Sequence, residues 1–122
     1  MAKNIMIVDD SASLRQVVGI ALKGAGYTVQ EGCDGRDALS KLVGQKVHLI
    51  ISDVNMPNMD GITFVKAVKQ LPLYKFTPIV MLTTESNEEK KKQGQEAGAK
   101  AWVVKPFKPE QLLAVAQKLV LP

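Results

Sequence analysis

The sequence predicts an α/β fold, a parallel sheet with helices on both of its faces. Three observations carry that expectation. Short apolar runs of strand length alternate five times with stretches whose apolar residues recur every three or four positions. Glycines and prolines punctuate the boundaries between them. Chemically active side chains stand just after the apolar runs. Five βα units with right-handed crossovers build a flavodoxin-like (βα)5 doubly wound domain, a five-stranded parallel sheet of order 2-1-3-4-5. Ligands of such sheets bind beyond the carboxyl ends of the strands.

Each element follows from its own pattern. Ile5 to Val8 is a compact run bounded by acids, as suits a buried strand. Leu14, Val17, Val18, Ala21, Leu22 and Ala25 mark one face of a helix that Gly26 stops. A second strand is expected near Thr28 to Glu31. A helix follows near Arg36 to Val43, with Ala38, Leu39 and Leu42 inward and Gly44 at its end. Val47 to Ser52 is the third strand and terminates at Asp53. The helix from about Gly61 to Gln70 carries Ile62, Val65 and Val68, with Pro72 beyond it. Pro78 to Thr83 is the fourth strand. Ser86 to Gly98 is helical by propensity, and Ser86 with Glu89 matches a capping box. Its apolar face is nearly empty, with Ala97 the main candidate. Ala101 to Val104 is the fifth strand, and Pro109 to Leu121 a closing amphipathic helix.

A chain of 122 residues suffices for one domain, and none of it is left over for an output domain. Hydrophobic residues at 46% and charged residues at 23% are globular values. No apolar run is long enough for a bilayer helix, and the N-terminus lacks a signal-peptide pattern. The one cysteine, Cys33, excludes an internal disulfide and a multi-cysteine metal site. A cytoplasmic bacterial protein is expected, without membrane insertion, and a monomer. The net charge of +4 permits nucleic-acid binding, but the basic residues are scattered and aromatics are only 5%. The run Lys90 to Lys92 follows Glu88 and Glu89 and reads as a solvated helix face, with Glu88 and Lys92 at i,i+4. With no helix-turn-helix segment left unassigned, no nucleic-acid partner is expected.

The strand ends collect chemistry. Asp9 and Asp10 follow the first strand, Asp53 the third, Thr83 and Thr84 the fourth, and Lys105 the fifth. Strands one, three, four and five are neighbours in the expected order. Three carboxylates crowded together must raise a pKa or take up a cation. A hard divalent ion, Mg²⁺, suits such oxygen ligands and attracts phosphate oxygens. Lys105 neutralises further negative charge, and the Thr83 hydroxyl can donate to a phosphoryl oxygen. A carboxylate left off the metal can attack phosphorus and become an aspartyl phosphate. Taken singly, each residue has a plainer reading: Asp9 or Asp10 as a helix cap, Asp53 as a turn residue, Thr83 as a strand residue, Lys105-Pro106 as a loop. Their common position at strand carboxyl ends argues against coincidence. Asp60-Gly61 reads as a turn and helix start.

Over its whole length the chain resembles the bacterial response-regulator receiver domain. The matching residues are Asp9-Asp10, the segment from Asp53 to Gly61 (DVNMPNMDG), Thr83, and Trp102 to Phe107 (WVVKPF). The resemblance implies that Asp53 is the phosphoacceptor. It implies Mg²⁺ bound by Asp9 or Asp10 with Asp53 and the backbone carbonyl of Asn55. Lys105 would pair with the phosphoryl group, Thr83 would be the switch hydroxyl, and Trp102 would hold the aromatic switch position, more usually Tyr or Phe. Lys105-Pro106 would be a cis bond. The implied kinase is a sensor histidine kinase of the CheA type. The implied output is a protein that binds the face built by helix four, strand five and helix five. Within the family the chain resembles a stand-alone, CheY-like chemotaxis regulator. Asn55 and Glu85 match positions that tune phosphoryl lifetime there.

Departures from the chemotaxis pattern bear on partners. Val54 stands in place of a Trp, and Thr84 in place of a small Ala beside the switch threonine, where it narrows access to the site. Asn87, Glu88 and Lys91 stand where motor-binding members carry a Lys pair and an Ile, which argues against the flagellar switch as target. A phosphorelay intermediate that passes its phosphoryl group to a histidine phosphotransfer protein would use the same site. A haloacid-dehalogenase-type phosphatase would need a second Asp where Asn55 stands. The protein is therefore expected to be no enzyme beyond assisting its own phosphorylation and dephosphorylation. His48 is expected at a sheet edge, the methionines in gaps and loops, and Cys33 as an inert thiol. Tyr27, Tyr74, Phe64, Phe76 and Phe107 are expected to be packing residues.

Overall fold

Among the described residues five strands form one sheet: β1 (Asn4–Val8), β2 (Thr28–Gly32), β3 (Leu49–Asp53), β4 (Ile79–Thr83) and β5 (Ala101–Val104). Their order is β2-β1-β3-β4-β5 and every pairing is parallel, as expected. The returning helices are α1 (Ala12–Gly24), α2 (Gly35–Leu42), α3 (Gly61–Lys69), α4 (Glu88–Ala97) and α5 (Pro109–Leu119), with a single 3-10 turn at Pro72–Tyr74. The structure is a computed structural model and describes residues 3–42, 44–83 and 88–120. No helix among them is long and apolar enough to cross a membrane. The expected helix end at Val43, the cap at Ser86, the residues Thr84, Glu85 and Asn87, and the helix end at Leu121 lie outside the described residues.

The strand period of two sorts the core into two layers. Met6, Val8, Ile50 and Met81 point to one face and pack with Ala38 and Leu42 of α2 and with Phe64, Val65 and Val68 of α3. Ile5, Ile7, Leu49, Ile51, Val80 and Leu82 point to the other and pack with Val18 and Leu22 of α1 and Leu112 and Ala116 of α5. Every residue of β3 and β4 is buried. That two-sided burial explains why these strands read as unbroken apolar runs rather than alternations.

Local chemistry sets the helix starts. The Ser11 hydroxyl caps α1 by accepting the Leu14 N–H at 3.2 Å. The plainer reading of Asp9 or Asp10 as that cap does not hold: Asp9, two residues upstream, accepts the Ser11 N–H through Oδ1 at 2.9 Å. Asp60 caps α3, as its place before Gly61 suggests. Gly26 stops α1 with φ of 97°, a left-handed conformation that favours glycine.

Two packing expectations fail. Val17 is 54% exposed and Ala25 is exposed, because the inward stripe of α1 narrows to Val18 and Leu22. Phe76 is 87% exposed; it follows the 3-10 turn, where no layer covers it, and the Lys75 ammonium sits 5.7 Å above its ring. The other aromatics do pack. Phe64 and Tyr74 are buried, and the Tyr74 hydroxyl donates to the carbonyls of Leu42 and Gln45. Tyr27 and Phe107 are half-buried against the second layer.

His48 precedes β3, and its Nδ1 accepts the Asn4 N–H at 3.0 Å, which only a neutral imidazole can do. Burial, and then the charges of Lys3 and Lys46, hold its pKa below the ordinary 6.5. The folded protein thus disfavours the protonated ring. This contribution is complete above pH 6.5 and is lost as pH falls from there through the folded pKa. An NMR titration of His48 is expected to give a pKa below 6.5, and His48→Gln to flatten the fall in urea stability on mild acidification. An unshifted titration would contradict the half-buried, neutral assignment.

Candidate functional site

The carboxyl edge of the sheet gathers the residues the sequence singled out. Asp9 follows β1 directly and is fully buried; its N–H donates to the Gly32 carbonyl at 3.1 Å. Asp53 is the last residue of β3 and 5% exposed. Asp10 is exposed. Carboxylate oxygens of Asp9, Asp10 and Asp53 lie within 4.8 Å of one another. Lys105 follows β5 across a cis bond to Pro106, as expected. Its N–H donates to the Thr83 carbonyl at 2.6 Å, which fixes where the side chain starts. Its Nζ then lies 3.0 Å from Asp9 Oδ2 and 3.5 Å from Asp53 Oδ1. Thr83 ends β4 and is 2% exposed. The register pairs Asp53 with Leu82, so Thr83 is the next residue along the neighbouring strand.

Three carboxylates face one ammonium here. Burial foremost, then the Asp9 charge, push the Asp53 pKa above its ordinary 3.8. Lys105 and the Asn55 N–H, which donates to the Asp53 carboxylate, pull in the other direction without overcoming them. The ionised form of Asp53 is thus held at a cost, and a cation would relieve it. The donor set fits a hard divalent ion: oxygen ligands from three residues, one of them open to solvent so that the metal can keep waters.

The loop after β3 is shaped by residues the sequence reading undervalued. The Gly61 N–H donates to the Val54 carbonyl at 2.8 Å, folding the start of α3 back onto the end of β3. A Cβ on Gly61 would lie 2.1 Å from the Asp53 carbonyl oxygen and 2.8 Å from Val54 Cα, contacts that backbone atoms cannot relieve. The turn reading of Asp60-Gly61 holds, but the close approach to Asp53 was not visible in it. Asp34 was missed altogether. It accepts the Asp37 N–H and the Asn58 Nδ2 at 2.8 Å each, and these bonds lower its pKa. Asn58, at φ of 67°, thereby ties the loop after β3 to the loop after β2. Arg15 was missed too; its guanidinium donates to the Asp9 carbonyl and pairs with Glu31 at 3.1 Å.

Asn55 is exposed just beyond Asp53. Trp102 is half-buried on β5, paired in register with Met81 and packed against the first core layer. Cys33 is free and exposed.

The family match decides what this edge is. The response regulator receiver domain family covers residues 5–117 of the chain. The chain belongs to this family. It is a receiver domain of two-component signalling, and its strand order is the one the element pattern predicts. The chain is 51% identical to the chemotaxis response regulator CheY4 of Vibrio cholerae, with a TM-score of 0.93 over 98% of this chain and 99% of that one. It is 38% identical over 114 residues to the phosphate regulon transcriptional regulatory protein PhoB of Pseudomonas aeruginosa, covering 93% of this chain and 50% of that protein. It is 39% identical over 114 residues to the alkaline phosphatase synthesis transcriptional regulatory protein PhoP of Bacillus subtilis, covering 93% of this chain and 47% of that protein. The chain thus spans about half the length of these curated relatives.

Two stability measurements test the geometry. Gly61→Ala is expected to cost roughly 2–3 kcal/mol in urea unfolding, since the clash is with backbone and not with a side chain that can turn away. A cost of a few tenths would contradict the close approach. Asp53→Asn is expected to stabilise the metal-free protein at neutral pH, because it removes a charge the fold disfavours. Loss of stability instead would mean that Lys105 outweighs burial and Asp9.

Proposed function

We propose that the chain is a phosphorylation-controlled receiver of the chemotaxis type, with Asp53 as the acceptor of a phosphoryl group from a histidine kinase. One observation carries this reading: a nearly buried carboxylate at a strand end, within 3.5 Å of a lysine ammonium and flanked by two further carboxylates. The three acids are not equivalent. Asp9 is fully buried and already engaged by Lys105 and the Ser11 N–H. Asp10 is exposed and unconfined. Asp53 is nearly buried, yet as the last residue of β3 it stands at the strand end.

In the proposed reaction a carboxylate oxygen of Asp53 attacks the phosphorus of a phosphohistidine. The P–O bond forms as the P–N bond breaks, and the electron pair leaves with the imidazole. Asp9, Asp10, Asp53 and the Asn55 carbonyl would hold Mg²⁺, which supplies charge neutralisation to the phosphoryl oxygens. Lys105 stands where it can stabilise the same charge. The Thr83 hydroxyl would donate to the new dianion, and Trp102 would follow it. The face of α4, β5 and α5 then shifts its balance of states toward one that a downstream protein prefers. A CheA-like kinase fits the likeness to CheY4. Glu88 is exposed at the start of α4, so a target other than the flagellar switch suits this surface. Asn55 is proposed to tune phosphoryl lifetime from its exposed position. The same role for Glu85 rests on its place in the sequence alone.

Intact mass after incubation with Mg²⁺ and acetyl phosphate tests the reading. One phosphoryl adduct is expected, absent from Asp53→Asn and abolished by a chelator. An adduct that persists in Asp53→Asn would remove Asp53 from the acceptor role. No adduct, together with no response to beryllium fluoride, would remove the chain from phosphoryl chemistry.

A further inference from the structure

Gly94 lies inside α4, buried, with no left-handed φ. Its backbone thus gives no reason for glycine, which is a poor helix former relative to alanine. What surrounds it does. A Cβ on Gly94 would lie 2.8 Å from Cζ3 of Trp102 and 3.5 Å from its Cε3, with Met81 Cγ at 3.7 Å. The indole therefore fills the space that a side chain at Gly94 would take. The fit is incomplete in one respect. The Trp102 Nε1 is buried and has no hydrogen-bond partner among the described residues. A buried indole N–H ordinarily finds an acceptor, and leaving it unpaired carries a desolvation cost.

We propose that Gly94 is the positioning residue for Trp102. Its missing side chain is the recess that admits the indole. The unpaired Nε1–H offsets part of what the indole gains by filling that recess. The helix and the indole then share one equilibrium: α4 can sit close to β5 only with Trp102 seated under Gly94. A partner that holds α4 against the sheet also holds the indole in, and the coupling is reciprocal. The link from this equilibrium to signalling rests on the proposed phosphorylation of Asp53; the packing itself does not.

Trp102 is the single tryptophan, so intrinsic fluorescence reads its environment directly. Gly94→Ala is expected to shift the emission to longer wavelength and to raise acrylamide quenching, with the helical circular dichroism retained. Gly24→Ala, a helical glycine with nothing within 4 Å of its added Cβ, is the control and is expected to change neither. In a Trp102→Tyr background, Gly94→Ala is expected to raise the melting temperature, because the helix gain is no longer opposed by a clash. Should Gly94→Ala fail to fold alone, Trp102→Tyr is expected to restore folding. Emission and quenching unchanged in Gly94→Ala, an equal melting shift in both backgrounds, or failure of that rescue would each overturn the proposal.

Mg²⁺ with beryllium fluoride separates this proposal from the one it rests on. Quenching is expected to fall in the wild type and not in Gly94→Ala. A wild type that does not respond, beside a shifted Gly94→Ala, leaves Gly94 as the positioning residue and removes the phosphoryl link. Equal responses in both proteins overturn the positioning role.

Discussion

Repulsion among three carboxylates at one end of a sheet is the constraint on which the other features depend. The fold brings Asp9, Asp10 and Asp53 within 4.8 Å of one another and supplies one ammonium, that of Lys105, against them. Burial makes the imbalance count, since charge is poorly screened where Asp9 and Asp53 sit. A protein selected only for stability would not keep such a cluster. Sites that bind a cation and then a phosphoryl group must keep it, because the excess negative charge is what recruits the metal. The raised pKa of Asp53 is the local measure of that tension.

The remainder of the carboxyl edge holds the cluster still. The loop after β3 has to carry Asn55 past Asp53 and return at once to the sheet. It does so because Gly61 permits a backbone approach that any Cβ would block. Asn58 pins the same loop to Asp34, and Arg15 grips the carbonyl of Asp9. Lys105 has the same support, through the bond from its own N–H to the end of β4. Each acid or base is thus fixed through backbone next to it. Such placement suits groups that must keep their separations while charge is added among them.

How much of this could be read in the sequence depended on whether the information was local. Strand runs, the helix stripe around Val18 and Leu22, and acids following strands are local patterns, and they place the sheet order and the cluster correctly. Contacts between loops are not local. Nothing near Asp34 in the chain indicates that Asn58 will meet it 24 residues later. Gly61 showed as a helix start, yet the reason it must be glycine lies in the path of Asp53 and Val54. Phe76 failed in the opposite sense: its type argues for burial, and only its position beyond the layers leaves it at 87% exposure. The plainer reading of Asp9 or Asp10 as the cap of α1 misses, because Asp9, Asp10 and Ser11 are all capable residues and the backbone path alone chooses Ser11.

The helices are unequally anchored to the sheet. On one face α1 and α5 pack Val18, Leu22, Leu112 and Ala116 against the strands. On the other, α3 contributes Phe64, Val65 and Val68, while α4 reaches the core with little more than Ala97 and the bare backbone of Gly94. The sequence of α4, EEKKKQGQEA, has almost no apolar surface with which to hold itself down. It lies beside α3, and its Gly94 meets the indole of Trp102 on β5. When charge changes at the end of β3, the elements with full cores resist, and the strain appears where packing is thinnest. That place adjoins Thr83 through β4 and Trp102 through β5. Under the proposed function, a change of charge at Asp53 would therefore reach α4 rather than α1, without any contact between Asp53 and α4 being required.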